Sequence, residues 1–119
     1  MLHLSPHTNY YWYHGAADMR KSFDALSGLV QNHMQLNPLS GAVFIFMNKK
    51  KNQVKLLCWD GDGMSIYYKR LEKGVYELPV IEQGQSSLLI DYEKLQFILQ
   101  GVMLSSIRKK KRFKPLIPA

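Results

Sequence analysis

The alternation of apolar and polar positions predicts a strand followed by a helix at the start of the chain. Residues 9–13, NYYWY, have the aromatic content of a first strand. From Asp18 onward, apolar side chains recur at spacings of four, three, four and four residues, which indicates a long helix with one apolar face. The carboxylate of Asp18 is suited to cap this helix, and Arg20 is one turn before Asp24, with which it can pair. The apolar positions are Met19, Phe23, Leu26, Val30 and Met34.

The middle of the chain predicts three consecutive antiparallel strands. Residues 42–47 and 54–60 are mostly apolar and are joined by the polar turn NKKKN. The DGDG turn, residues 60–63, then leads into a strand from Met64 to Tyr68. Two further strands are predicted, an edge strand in VYELPV (75–80) and a short one in SLLI (87–90).

A second helix is predicted near the C-terminus. Asp91 is suited to cap its start, and Gly101 to end it. Its apolar positions are Leu95, Ile98, Leu99 and Val102. The expected fold class is therefore α+β, with a small antiparallel sheet of about four or five strands connected as hairpins and a meander. One long N-terminal helix is expected to cover this sheet.

Length and charge divide the chain into a folded body and a tail. A chain of 119 residues with 46% hydrophobic content is long enough for one core, so residues 1–105 are expected to form a single domain. The net charge of +7 arises from 16 basic and 9 acidic residues. Six basic residues lie in residues 106–119, which are predicted to form a mobile basic arm: Arg108, Lys109, Lys110, Lys111, Arg112 and Lys114. This arm is either a sequence-independent phosphate binder or a solubilising tail.

Several classes of function find no support in the residue pattern. No apolar run is long enough to span a membrane, and the N-terminus does not have the form of a secretory signal, so a soluble cytoplasmic protein is expected. Asp60 and Asp62 lie in a turn, where aspartate caps nearby amides, rather than converging as metal ligands. The single cysteine, Cys58, is expected to be a small buried hydrophobe. We therefore expect no catalytic residue, no metal site and no cofactor.

Basic and aromatic side chains are the remaining candidates for a binding function. Arginine offers phosphate a planar fork of donors, and tyrosine offers a base a stacking face. The alternative is that the lysines are solvated loop residues and the tyrosines are half-buried in the sheet. The candidates are Arg20, Lys21, Lys49, Lys50, Lys51, Tyr67, Tyr68, Lys69 and Arg70, together with the basic arm.

Three ordered motifs resemble a known family. They are GAADMRKSFDAL (15–26), PLSGAVFIFMNKKKNQVKLLCWDGDG (38–63) and YYKRLEKGVYELP (67–79). The chain resembles the small accessory protein, often called TnpB, of the insertion-sequence sixty-six family of bacterial transposable elements. It departs from the family pattern at Ala16 and Ala17 and in its long basic arm.

This resemblance implies a role in transposition beside a much larger transposase, and it supplies no catalytic residue. Two hypotheses follow. The protein is either a non-enzymatic accessory factor that binds DNA, the transposase or both, or a pure protein interaction module that makes no direct contact with DNA. Neither a membrane nor a small-molecule substrate is expected as a partner.

Overall fold

The computed structural model of the protein describes residues 4–101, which form a five-stranded mixed sheet and two short helices. The order of strands across the sheet is β4-β3-β2-β1-β5. The strands are β1 (Tyr10–Ala16), β2 (Val43–Met47), β3 (Gln53–Trp59), β4 (Met64–Arg70) and β5 (Ser87–Ile90). The helices are α1 (Phe23–Asn32) and α2 (Tyr92–Gln100).

The prediction of a purely antiparallel sheet is wrong, because β1 and β2 are parallel. Tyr10 is opposite Val43, and Trp12 is opposite Ile45. Residues 17–42 cross over one face of the sheet and carry α1 in the connection, as parallel neighbours require. The predicted meander of β2, β3 and β4 is confirmed as two antiparallel pairings. β5 pairs antiparallel with the other edge of β1.

The long N-terminal helix is also a wrong prediction. α1 contains 10 residues and begins at Phe23 rather than after Asp18. Its N-cap residue is Ser22, whose side chain makes no capping hydrogen bond. The carboxylate of Asp18 instead accepts a hydrogen bond from the backbone N–H of Arg20 in the loop before the helix. The chain leaves the helix before Gln35, which has a φ of +56°.

Each face of the sheet carries its own apolar core. α1 packs over Phe44, Phe46 and Leu57 through Leu26 and Val30, and we call this the α1 face. α2 packs over the opposite face through Leu95 and Ile98, and we call this the α2 face. All five residues of β2 are buried, which places this strand at the centre of both cores.

Of the two strands predicted between β4 and α2, only the second is present. Residues 75–80, predicted as an edge strand, are irregular. Their backbone is fixed by a hydrogen bond from Tyr76 N–H to the carbonyl of Lys51 at 2.7 Å, and the Tyr76 ring is buried in the α2-face core. The short strand predicted in SLLI is confirmed as β5.

The predicted caps of the second helix are confirmed. The Asp91 carboxylate accepts a hydrogen bond from the backbone N–H of Lys94 at 2.7 Å. Gly101 ends the helix in the left-handed region, with a φ of +79°. The predicted basic arm, residues 106–119, lies outside the described residues.

Candidate basic and aromatic interface

The topology brings the separate basic segments of the sequence to one end of the sheet. Because β1 and β2 are parallel, both finish at this end, where β3 begins and β4 finishes. The loop after β1, the β2–β3 turn and the last residues of β4 therefore lie next to one another. We call this region the basic end; its cations are Arg20, Lys21, Lys49, Lys50, Lys51, Lys69 and Arg70.

A buried lysine holds the first of these segments in place. Lys55 lies in the middle of β3 on the α1 face, and only 7% of its surface is exposed. Its Nζ donates hydrogen bonds to the carbonyl oxygens of Met19 at 2.8 Å and Lys21 at 2.7 Å. A buried ammonium is costly unless it is hydrogen-bonded. The two carbonyls meet this requirement, and the contact fixes the loop that presents Arg20.

An aromatic ring completes the environment of Lys55. The Nζ atom lies 4.8 Å from the centroid of the Tyr68 ring, within the range of a cation–π interaction. The Tyr68 hydroxyl donates a hydrogen bond to Oε1 of Gln53 on the neighbouring strand. Tyr68 nevertheless remains 52% exposed, so it presents a stacking surface to solvent beside the anchored loop. Lys55 was not among the predicted site residues; the signal in the sequence was Leu57, an apolar residue two positions further along the strand and therefore on the same face.

Asp18 and Arg20 form an ion pair that differs from the predicted one. Arg20 Nη2 lies 2.7 Å from Asp18 Oδ2, rather than pairing with Asp24. The side-chain hydrogen bonds from Arg20, followed by the bond from its backbone N–H, lower the pKa of Asp18 to about 2. The Arg20 side chain is 92% exposed, and an exposed pair of this kind adds little stability. Its effect is to orient the guanidinium at the surface.

The lysine turn, residues 48–52, has a rigid backbone. The side-chain oxygen of Asn48 accepts hydrogen bonds from the N–H groups of Asn52 at 3.0 Å and Gln53 at 2.9 Å. Asn48 Nδ2 also donates to the Asn52 side chain at 2.7 Å. Lys51 is held in the left-handed region at a φ of +62°. The turn therefore presents three exposed lysines, Lys49, Lys50 and Lys51, on a fixed backbone.

The predicted cluster on β4 is divided between the two faces of the sheet. Tyr68 is opposite Lys55 and Arg70 is opposite Gln53, so both lie on the α1 face with the anchored loop. Tyr67 and Lys69 point to the α2 face, because side chains alternate along a strand. The structure thus groups Tyr68 and Arg70 with Arg20 and Lys21 on one face. It does not place Tyr67 or Lys69 with them.

The acidic residues of the turns lie at the other end of the sheet. Asp60 and Asp62 are in the β3–β4 turn, and Asp91 follows the last residue of β5. Four other acidic residues are closer to the basic end: Asp18, which pairs with Arg20, Asp24 in α1, Glu72 after β4 and Glu77 next to Tyr76. Residues 4–101 contain nearly equal numbers of acidic and basic side chains. Cations outnumber carboxylates at the basic end and carboxylates outnumber cations at the other end, so the net charge of this part of the molecule differs in sign between its two ends.

Cys58 and Asp60, at the end of β3 and in the turn after it, have contacts with neighbouring residues. Asp60 accepts a hydrogen bond from Ser65 Oγ at 3.2 Å and its backbone closes the turn to Gly63, as expected of a structural aspartate. Within residues 4–101, no three histidine, cysteine, aspartate or glutamate side chains are grouped so that they could hold a metal ion. Burial, with a smaller effect from the Asp60 charge, raises the pKa of the Cys58 thiol, which disfavours the reactive thiolate.

The arm cations Arg108, Lys109, Lys110, Lys111, Arg112 and Lys114 lie outside the described residues. Neither helix in the described part of the chain has the length and apolar character needed to cross a membrane.

Comparison with known proteins identifies the family. Residues 8–109 match the family model described as IS66 Orf2 like protein. The chain is 34% identical to the uncharacterized protein y4hO of Sinorhizobium fredii over 88 residues, which cover 74% of this chain and 75% of that protein. It is 27% identical to the uncharacterized protein y4jC of the same organism over 93 residues, which cover 78% of each chain. No solved structure matches. The chain therefore belongs to the IS66 Orf2-like family of transposition-associated accessory proteins.

Proposed function

We propose that this protein is a non-enzymatic accessory factor of bacterial DNA transposition whose basic end contacts the phosphate backbone of DNA. One observation carries the proposal. The chain brings three separate basic segments together at one end of the sheet, and it fixes two of them through Lys55 and Asn48. Family membership supplies the transposition context.

The chemistry of the basic end suits phosphate. Arginine N–H groups are strong donors to phosphate oxygens. Arg20 binds Asp18 through Nε and Nη2, so its remaining N–H groups are the donors for a phosphate. The lysines of the 48–52 turn add point charges on a backbone that is already ordered, so binding orders less of the chain. Tyr68 adds an exposed ring on the same face as Arg70, where an unpaired base could stack.

The test is the salt dependence of DNA binding. Fluorescence anisotropy measures binding of the full chain to a duplex from the ends of its element and to a random duplex. The logarithm of the association constant should fall linearly with the logarithm of the salt concentration. Replacing Lys49, Lys50 and Lys51 with Gln should reduce the slope by about 0.9 for each phosphate that the variant no longer neutralises. Lys94→Gln, on α2, is the matched control and should leave the slope unchanged. An unchanged slope in the triple variant would contradict the proposal.

The basic arm requires a separate variant of the full chain. Replacement of its six cations with Ser removes its charge without removing any of the described residues. If binding disappears in this variant and is unaffected by the changes at Lys49, Lys50 and Lys51, the arm alone binds DNA and the basic end does not. If both variants lose part of the affinity, the arm acts together with the basic end.

Docking on the transposase is the second candidate function, and an exposed aromatic residue favours it. Phe23 is the first residue of α1, immediately after the anchored loop, and it is 45% exposed. A protein interface that depends on such apolar contact should persist in high salt. The test is capture of the purified transposase by the full chain at low and high salt. Phe23→Ala should weaken capture, while Leu39→Ala, which alters a somewhat more exposed apolar residue elsewhere, should not.

A further inference from the structure

The outer edge of β4 has the properties of a pairing surface. β4 is the outermost strand on its side of the sheet and contains seven residues, Met64–Arg70, with no proline. Its register with β3 is continuous from Gln53–Arg70 to Trp59–Met64, without a bulge. Proteins usually protect such edges by shortening, twisting or interrupting the strand. β5, at the opposite edge, contains only four residues.

Two hydrogen bonds establish which backbone groups of β4 point outward. Leu71 N–H donates to the carbonyl of Asn52 at 2.8 Å, and Asp60 N–H donates to that of Gly63 at 3.0 Å. Both join residues that are directly opposite in the β3–β4 register. Bonding residues alternate in an antiparallel pair, so the odd-numbered residues of β4 bond to β3. The N–H and C=O groups of Met64, Ile66, Tyr68 and Arg70 are therefore directed away from the sheet.

We propose that this edge pairs with the same edge of a second copy of the chain, forming a symmetric dimer with a continuous ten-stranded sheet. A two-fold axis makes β4 antiparallel to its copy. When this axis passes through Ile66, the residues whose backbone groups point outward lie opposite each other. Met64 then lies opposite Tyr68 of the second copy, and Asp62 lies opposite Arg70. Each contact occurs twice, as a two-fold interface requires.

Charge complementarity selects the second copy as the occupant. Positive charge lies at the end where β4 finishes and negative charge at the end where it begins. Antiparallel pairing therefore brings Arg70, at the β4 edge of the basic end, against the acidic turn of the other copy, whereas the loop before α1 and the lysine turn lie outside the paired strands. The side chains next to the axis are also suited to contact, since Tyr67 and Tyr68 are 43% and 52% exposed. The pairing of Arg70 with Asp62 of the second copy favours this register over registers shifted along the strand.

A charge exchange tests the dimer in the absence of DNA, so its outcome is independent of the proposed DNA contact. Sedimentation equilibrium of the full chain over a micromolar concentration series should show a dimer. Arg70→Glu places two carboxylates opposite each other, and Asp62→Lys places two cations opposite each other, so each variant alone should dissociate more readily. In an equimolar mixture of the two variants, opposite charges again face each other at both positions of the mixed dimer. The mixed dimer should therefore form roughly tenfold more tightly than either variant with itself.

Two further measurements make the test decisive. Far-UV circular dichroism establishes that each variant is folded, and the milder pair Arg70→Gln and Asp62→Asn should weaken the dimer in the same direction. A wild-type chain that remains a monomer throughout the series overturns the proposal. A dimer that neither variant weakens, or folded variants that fail to recombine in the mixture, overturns it as well.

Discussion

The ammonium group of Lys55 donates a hydrogen bond to the carbonyl oxygen of Lys21 at 2.7 Å, although the two residues are 34 positions apart in the chain. The same group binds the carbonyl of Met19, so one side chain from the middle of a strand fixes the loop before α1. This contact links the buried sheet to the exposed guanidinium of Arg20.

Lys55→Met should loosen this loop and destabilise the protein. The substitution keeps a long side chain on the α1 face but leaves two carbonyls without their charged donor. Hydrogen bonds to charged groups suggest a loss of about 2 kcal/mol in the free energy of unfolding. Urea denaturation measures the loss, and amide exchange at residues 19–21 locates it. Lys94→Met, on α2, is the control; an equal loss in both variants would contradict the anchoring role.

The caps of the two helices should respond differently to alanine. Asp91→Ala removes a carboxylate that accepts from Lys94 N–H, at a cost of about 1 kcal/mol. Ser22→Ala should cost less, because the Ser22 side chain makes no capping bond. Thermal unfolding of both variants tests this contrast. The reverse order would show that Ser22 caps α1 in solution.

Asn48→Ala should destabilise the lysine turn. The Asn48 side chain joins two backbone N–H groups and the Asn52 amide, and its loss leaves part-buried donors unsatisfied. We expect a loss of about 2 kcal/mol in the free energy of unfolding. Asn37→Ala, which removes one exposed bond to Leu39 N–H, should cost less than half as much. Urea denaturation compares the two, and similar losses would contradict the view that Asn48 organises the turn.

The titration of Asp18 should depend on Arg20. Hydrogen bonds from the Arg20 side chain and backbone lower the pKa of Asp18 to about 2, from its ordinary value of 3.8. A lowered pKa in the folded state means that the contribution to stability is present above pH 3.8 and is lost as the pH falls towards 2. Arg20→Gln should raise the Asp18 pKa towards 3.8, which a carboxyl-detected NMR titration measures. An unchanged midpoint would show that the pair does not form in solution.

Local features of the structure could be predicted from the sequence, and non-local ones could not. The capping of α2 by Asp91 and its end at Gly101 depend on residues within one turn, so the pattern was sufficient. The β2–β3–β4 meander could also be predicted from the sequence, because each strand is joined to the next by a short turn. The parallel pairing of β1 with β2 leaves no comparable local signal.

The start of α1 shows how tertiary contacts override a helical pattern. The spacing from Met19 onward favours a helix that begins after Asp18. The structure instead uses the Met19 and Lys21 carbonyls as acceptors for Lys55, and it uses the Asp18 carboxylate to bind Arg20. The same contacts explain what was missed at the site. The sequence identified Arg20 and Arg70 as candidates, but only the register of β3 with β4 places Tyr68 beside the buried Lys55.

Mapping of a DNA duplex onto the full chain by NMR tests the central claim most directly. The claim is that the basic end, held by Lys55 and Asn48, is the surface that contacts DNA. Titration of a ¹⁵N-labelled protein should shift the amides of residues 19–21 and 48–51, while those of the acidic turn at 60–63 and of the start of α2 should not move. Shifts confined to residues 102–119, or centred on the acidic turn, would contradict the claim.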